Sequence, residues 1–578
     1  MMKKTIIRRS PPEYAHLPES LHDVLRRVYA LRNVTSADEL DYSLERLLPY
    51  EALYGIEQAV SLLAEALEQG QRILIVADFD ADGATSCAVA IRGLRLLGAQ
   101  DVCYVVPNRF EHGYGLTPEI VAVAAEQKPD LLITVDNGIS SVDGVRAAKE
   151  LGFKVLITDH HLPGSQLPEA DVIVNPNQSG DAFPSKHLAG VGVMFYILLA
   201  LRAHLRQTGW FDTRNGPEPN FAQLLDLVAL GTVADVVPLD HNNRILVFQG
   251  LERIRRGRCQ VGMRALIAAS KRDPDRIAAG DLAFAIGPRL NAAGRLADMS
   301  LGIECLLTDD DALAMQMAQQ LTKLNQERRE IEGQMHVQAL ASLDELNLDD
   351  EIGLPFGMCL FDEDWHQGVI GILASRMKER LHRPVIAFAL DRDDELRGSA
   401  RSIRELHIRD VLDAVATRHP DLILRFGGHA MAAGLSLRRN RFDDFKSAFD
   451  EEVRRHLRAE ALQNVIYSDG DLEPKLICLE LAECIRNGGP WGQGFPEPIF
   501  DGEFEIIRRR IVGKRHLKLL LRADRGSDPV DAIAFNTLGD ACPNDVRRVH
   551  IAYRLDVNVY QGRESPQLVV EHIEPVGA

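Results

Sequence analysis

The stretch RILIVADFDADGATS, residues 72–86, sets Asp78, Asp80 and Asp82 at alternate positions immediately after a run of apolar residues, with Gly83 behind them. Carboxylates at this spacing hold cations. A calcium-binding helix-loop-helix begins in the same way, but it needs a helix in front and a bidentate Glu at the twelfth loop position. Counting from Asp78, that position is Val89, and Ile73 to Ala77 read as a buried strand. The calcium reading fails on both requirements. A solvated acidic turn is the remaining plain explanation, and it requires that the pattern not recur.

The pattern recurs. DLLITVDNG ends in Asp136, and FKVLITDHH ends in Asp159, His160 and His161. Three apolar strands thus run straight into carboxylates or imidazoles. In a parallel sheet the carboxyl ends of all strands lie along one edge, where ligands bind. These seven side chains are therefore expected to converge, and Asp235, in GTVADVVPL, is within reach of the same edge. Carboxylates crowded together repel unless cations neutralise them. The donor set is rich in oxygen, holds one or two imidazoles and lacks thiolate, which suits Mg²⁺ or Mn²⁺ better than structural Zn²⁺. It is large enough for two ions about 3.5–4 Å apart, a pair that generates hydroxide at neutral pH and braces an in-line attack on phosphorus. The chemistry indicated is metal-dependent hydrolysis of a phosphoester or phosphoanhydride. Two details stay open: His161 as an outer group, and Asp159 as the partner that orients His160.

Such a cluster needs a scaffold, and the chain supplies one. From residue 55 to 240 helical and strand patterns alternate: helices at 56–69, 84–97, 117–126 and 142–151, strands at 72–78, 101–106, 130–136 and 153–158. This alternation predicts a parallel sheet covered on both faces. Residues 221–234 read as an amphipathic helix, and residues 1–50 as an N-terminal extension with a helical pair. Residues 309–346 contain no proline and one glycine, Gly333. As a single helix they span about 50 Å and connect two domains; a break near Gly333 into two packed helices is the alternative. A second α/β unit begins near residue 354, and residues 500–575 carry five or so short alternating stretches, the pattern of a small all-β barrel.

Composition narrows the functional classes. A chain of 578 residues exceeds one core. No apolar run reaches the roughly 18 residues of a membrane span, and the basic N-terminus MMKKTIIRRSPPEYAHLPES lacks the apolar core of a secretory signal. Eight scattered cysteines without C-x-x-C point to neither a zinc ribbon nor a disulfide framework, so a reducing cytoplasm is the expected location. The net charge of −18 argues against a passive nucleic-acid coat. Locally, however, residues 508–525 hold Arg508, Arg509, Arg510, Lys514, Arg515, Lys518, Arg522 and Arg525 against the single acid Asp524. This is either a solvated basic hairpin or a patch with an anionic client.

D-H-H after a strand, with DFDADG upstream, VDNG between, and RSIRE and GGHAMAAG further on, resembles the DHH phosphoesterase superfamily. With the long connector and the C-terminal β module, the resemblance is to its RecJ branch, exonucleases specific for single-stranded DNA, and covers nearly the whole chain. It implies an α/β fold: an extension (1–50), a parallel-sheet DHH domain (51–300), a long connecting helix (301–350), a second α/β domain of the DHHA1 type (351–457) and an all-β OB-like nucleic-acid-binding domain (458–578). By that resemblance Asp80 and Asp82 bind metal with Asp78 beside them, Asp136 bridges the ions, His160 binds metal, His161 faces the scissile phosphate or the attacking water, and Asp235 completes the first ion's shell. The superfamily's smaller hydrolases carry a histidine where this chain has Val76, which disfavours a pyrophosphatase. Arg109, Ser399 and Arg401 would grip a terminal 5′-phosphate, with His112 close to Arg109. Gly427, Gly428 and His429 read as a phosphate nest, and Arg289, Arg295, His366 and Gly368 as DNA contacts, with a folding role the alternative for the glycine. The implied activity is 5′→3′ release of mononucleotides with two Mn²⁺ or Mg²⁺ ions, in repair and recombination. The implied partners are single-stranded DNA with a free 5′ end, a single-strand-binding protein and a helicase, with no membrane and a monomeric chain. Relatives acting on short oligonucleotides, bisphosphorylated nucleotides or cyclic dinucleotides are the alternative.

Overall fold

The computed structural model describes residues 4–13, 16–107, 115–164, 166–213, 217–344, 354–391, 394–513, 516–535, 537 and 546–576. The chain divides into two compact units, one of Met1–Ile7 with Gln326–Tyr467, the other of Arg8–Asn325 with Ser468–Ala578. Among the described residues no helix is long and apolar enough to cross a membrane. After an N-terminal strand β1 (Lys4–Arg8), the larger unit builds a parallel sheet from β2 (Ile73–Ala77), β3 (Val102–Val105), β4 (Leu131–Val135), β5 (Lys154–Thr158) and β6 (Val172–Val174), in the order β3-β2-β4-β5-β6. β2 and β4 are buried along their whole length. Their alternate residues face two different cores. Ile73, Ile75, Leu131 and Ile133 pack with the helices Ile56–Glu68, Ala81–Leu96 and Gly190–Gln207. Leu74, Val76 and Leu132 pack with Pro118–Glu126 and Val142–Glu150. A strand buried on both faces has no polar side, which is why these runs are continuously apolar. The chain leaves β2 for β3 on one side and returns to β4 on the other, so the strand order reverses between β2 and β4. Such a switch point opens a crevice at the carboxyl edge.

Several expectations need correction. Residues 221–234 form a short turn, Phe221–Leu224, and the helix Leu225–Ala234, which is buried on every side rather than amphipathic. It lies among Ala81–Leu96, Gly190–Gln207 and His241–Arg255, so no face is left for water. Among the described residues, 1–50 hold one α-helix, Asp23–Ala30, followed by single turns at Ala37–Leu40, Leu44–Arg46 and, starting at the last of them, Tyr50–Ala52, not a helical pair. Asn33, at φ +60°, turns the chain out of the helix. The helices Gly190–Gln207, His241–Arg255, Gly287–Leu296 and Ser300–Leu307 were not anticipated.

The helix Asp311–Asp344 is continuous through Gly333, where an added Cβ would meet nothing. With no close neighbour there, the glycine is under no packing demand to bend. The smaller unit then forms a sheet in the order β10-β11-β9-β8-β7 from β7 (Met358–Phe361), β8 (Val385–Leu390), β9 (Glu395–Arg401), β10 (Arg425–Gly428) and β11 (Ala432–Arg438). Only β7 and β8 run parallel; the others are antiparallel. Its core centres on Phe388, Phe445 and Phe449. β12 (Asn464–Ser468) pairs with β1. The C-terminal residues close a five-stranded barrel from β13 (Phe500–Val512), β14 (His516–Arg522), β15 (Val530–Ala534), β16 (Arg548–Tyr560) and β17 (Arg563–Pro575). The barrel belongs to the larger unit, and one hydrophobic core runs from β2 and β4 to Phe500, Leu519 and Ile551. Arg32 and Asp469, both almost completely buried, pair at 3.0 Å, and Arg244 lies 4.3 Å from the Phe495 ring centre.

Candidate metal centre

Asp78 follows the last residue of β2, Asp136 that of β4 and Asp159 that of β5. The three strands are neighbours spaced about 4.8 Å apart, so their end residues meet across the crevice. Three sets of ligand atoms lie within 4.8 Å of one another: Asp78 with Asp80 and Asp136; Asp82 with His160 and Asp235; and Asp136 with His160 and His161. His160 Nε2 sits 3.1 Å from Asp136 Oδ1, 3.4 Å from Asp235 Oδ2 and 4.0 Å from Asp82 Oδ2. The members converge although Asp78 and Asp235 are separated by more than 150 positions in the chain.

Each side chain is held by identifiable contacts. Asp80 caps the helix Ala81–Leu96, its Oδ1 accepting from the N–H groups of Asp82 and Gly83. Asp82 is buried, and both its oxygens accept backbone N–H groups from the first turn of the helix Gly190–Gln207: Gly190 at 2.6 Å and Val191 at 3.0 Å. A helix N-terminus is a natural seat for a carboxylate. Asp136 stands at φ +63°, a left-handed conformation that Asp tolerates better than most residues. Asn137 fixes that turn by donating to the carbonyls of Val76 and Val135. Asp235 ends the helix Leu225–Ala234. Asn175 and Asn177 hold the carbonyls of His161 and His160.

Asp159 meets the ring of His161 and, of His160, the backbone N–H. Its Oδ1 meets His161 Nδ1 at 2.7 Å and accepts the N–H groups of His160 and His161, while Oδ2 accepts from Ile139 N–H. His160 instead points its Nε2 among the three carboxylates, with its ring centre 4.5 Å from that of His161. Burial alone would raise the Asp159 carboxyl, but His161 outweighs it and holds the pKa at about 2. Burial lowers the His161 ring, yet the bond to Asp159 and the charges of Asp159, Asp235 and Asp78 raise it to about 9. With Asp159 ionised, the bond between them must be donated by His161 Nδ1.

The other carboxylates show the opposite effect. Burial and the charge of Asp80 push Asp82 up to about 7 against the hydrogen bonds from Val191 and Gly190. Asp136 and Asp235 are driven well above the ordinary carboxylate range by burial and then by neighbouring aspartates. Anions this crowded are stable as anions only beside cations. A carboxylate-rich set with imidazole and no thiolate fits Mg²⁺ or Mn²⁺.

The other sequence expectations divide. Ser399 and Arg401 lie on β9, with Arg401 Nη1 donating to Ser399 Oγ at 3.1 Å. The first turn of the helix Ile370–Leu381 presses on them: an added Cβ at Gly371 would come within 2.9 Å of both side chains. His366 Nδ1 accepts from Gly368 N–H at the approach to that helix. Gly427, Gly428 and His429 do not form an open nest. Gly427 and Gly428 belong to β10, paired with Gly434 and Ala433 of β11, and His429 N–H donates to Ala432. Arg289 donates to Thr322 Oγ1 and to the Ala285 carbonyl, and Arg295 lies half-buried in the same helix, Gly287–Leu296. In the basic stretch Arg508 and Arg510 are exposed, Arg509 turns to the Val546 carbonyl and Lys518 pairs with Asp531. Arg109, His112, Lys514 and Arg515 lie outside the described residues.

Sequence reasoning missed Gly190, Gly231, Asn291 and Gly294. An added Cβ at Gly190 would stand 2.6 Å from Asp136 Cβ, and at Gly231 2.7 Å from Asp82 Oδ1. The available signals were the glycines of LAGVGV and LGTVAD, each set in an otherwise apolar helical pattern.

The chain matches the DHH family, N-terminal domain, over residues 72–232, the DHHA1 domain over 354–455 and the RecJ OB domain over 468–572. It is 54% identical over 573 residues to the single-stranded-DNA-specific exonuclease RecJ of Dickeya dadantii, covering 99% of both chains. Crystal structures of RecJ from Thermus thermophilus are also similar. The complex with Mn²⁺ matches with a TM-score of 0.79 at 32% identity, over 97% of this chain and 77% of that one. The complex with Mg²⁺ matches with a TM-score of 0.74 at 30% identity, over 97% and 76%.

Proposed function

The chain belongs to the RecJ family, and on that premise we propose that it is an exonuclease specific for single-stranded DNA, hydrolysing phosphodiester bonds from the 5′ end with Mn²⁺ or Mg²⁺. The observation that carries the assignment is the convergence of Asp78, Asp80, Asp82, Asp136, Asp235 and His160 at the switch point of the sheet. We assign Asp82, His160 and Asp235 to one cation and Asp78 and Asp80 to the other, with Asp136 between them. Bound there, the ions supply an activated water and offset the charge on the phosphate.

The chain's own groups do the rest. Asp159 engages His161 Nδ1 and so fixes the ring's orientation, which leaves Nε2 as the nitrogen that meets the scissile phosphate or the attacking water. The N–H groups of Gly190 and Val191 hold Asp82 in one rotamer. Ser399 and Arg401 form a preorganised donor pair at a helix start, apt for a terminal 5′-phosphate. The barrel, with Arg508 and Arg510 exposed, supports a polymer rather than a dinucleotide as substrate. We divide the chain functionally as a catalytic DHH domain (51–300), a connecting helix (301–350), a substrate-gripping domain (351–457) and a strand-binding barrel (458–578). We place it in the cytoplasm as a monomer that takes its strand from a helicase and a single-strand-binding protein.

The test is hydrolysis, with Mn²⁺ or Mg²⁺, of 5′-labelled single-stranded DNA, the same sequence as a blunt duplex, a dinucleotide and pyrophosphate. Labelled mononucleotide released from the single strand alone, and lost by roughly 10³-fold or more in Asp136→Ala, is the expected outcome. Faster turnover of the dinucleotide or of pyrophosphate overturns the polymer assignment while leaving the metal chemistry in place.

A further inference from the structure

The helix Gly287–Leu296 contributes no candidate ligand, yet it touches two of the chain segments that do. Gly287, Asn291 and Gly294 share one face at spacings of four and three. At Gly287 an added Cβ would meet Ala234, the residue before Asp235, at 3.0 Å. At Gly294 it would stand 1.9 Å from the carbonyl oxygen of Phe79, the residue before Asp80. Between them, Asn291 Oδ1 accepts the N–H of Ala81, the residue after Asp80, at 2.7 Å.

That last bond serves the start of a helix. The N–H groups of a helix's first turn lack partners within it. In the helix Ala81–Leu96 the first internal bond runs from Ala84 N–H to the Asp80 carbonyl. Ahead of it, Asp80 Oδ1 takes the N–H groups of Asp82 and Gly83, and Asn291 takes that of Ala81. Without Asn291 the Ala81 N–H would compete for the Asp80 carboxylate and turn it from the cations. The face is preceded by a π-helical turn, Leu282–Ile286. Such a turn carries an extra residue, which rotates all that follows, and is common at functional sites.

We propose that Asn291 is a positioning residue for the metal centre, and that the Gly287, Asn291 and Gly294 face sets the separation between the Asp80 loop and Asp235. This rests on the assignment of those aspartates to cations. Loss of a group that orients a ligand typically lowers metal affinity or activity by about 10–100-fold.

Mn²⁺ binding to the full-length protein without DNA, followed by the paramagnetic resonance of free Mn²⁺, gives a readout separate from activity. Asn291→Leu is expected to weaken the tighter Mn²⁺ site by about 10-fold or more and to lower kcat on single-stranded DNA with KM unchanged within about twofold. Asn291→Asp, which keeps an acceptor for Ala81 N–H, is expected to restore most of both. Asn291→Ala, a plain truncation of a half-buried side chain, carries the test if the leucine variant does not fold. Parental Mn²⁺ affinity and kcat in the folded leucine or alanine variant overturn the proposal. A parent protein that binds no Mn²⁺ removes the underlying assignment instead, so the two failures are distinguishable.

Discussion

Position 190 has room for a hydrogen atom and nothing larger. A methyl group there would press on Asp136 Cβ at 2.6 Å and Oδ1 at 2.8 Å while shifting the N–H that Asp82 accepts. Gly190→Ala is expected to lower metal-dependent hydrolysis by about 100-fold, with parental secondary structure by circular dichroism. Activity within about fivefold of the parent would show that the two carboxylates are not set by this contact. The polar members of the site were legible because Asp78, Asp136 and Asp159 each break an apolar run where a strand must end, and the others lie close behind them or, for Asp235, at the end of an apolar helix. Their supports were not. Gly190 lies 108 positions from Asp82, and Asn291 lies 210 from Ala81. A glycine needed for space, or an amide needed for one distant N–H, leaves no local pattern. The pairing of Asp159 with His161 rather than His160 was likewise decided by side-chain geometry that spacing does not encode.

At the scale of elements, strand identity was read from composition, but strand phase was not. β13 pairs with β14 through Ile506 and Leu521, then shifts register, so that Arg508 opposes Leu520 and Arg510 opposes Lys518. Without the bulge Arg508 and Arg510 would oppose Leu519 and Leu517, which are buried inside the barrel. One extra residue thus turns two arginines outward and Arg509 inward. If the outer face contacts DNA, the paired change Arg508→Ala with Arg510→Ala should lower the slope of log K against log salt for single-stranded DNA by about 1.4, two phosphates at about 0.7 each. Arg509→Ala alone should lower it by less than half as much. Equal effects from both variants, measured by fluorescence anisotropy over a salt series, would remove the distinction between the faces. The same limit explains the helix Leu225–Ala234. Its composition identified a helix, but only the elements packed around it decided that no side stays wet.

At the scale of the molecule, one buried barrel carboxylate gathers residues from three parts of the chain. Buried Asp501 accepts from Arg8, Ser468 and His550. Burial pushes its pKa up, but the bonds from those three groups outweigh this and hold it below the ordinary value. A carboxyl depressed in the folded state adds stability above its unfolded pKa, near about 3.9, and loses it as pH falls through the folded value. Asp501→Asn should therefore lower Tm at pH 7, and the difference from the parent should shrink below about pH 4. A constant difference from about pH 7 to pH 3 would show that the charge of Asp501 is not what matters. By itself, the sequence determined the parallel sheet, the long helix, the barrel and the ring of carboxylates and imidazoles at the strand ends. Those follow from local periodicity and from the rule that parallel strands share a carboxyl edge. The tertiary structure decided which helices brace that edge, which way each basic side chain turns, and that the barrel shares a core with the catalytic unit. These depend on contacts between residues hundreds of positions apart, where packing rather than local preference selects the partner.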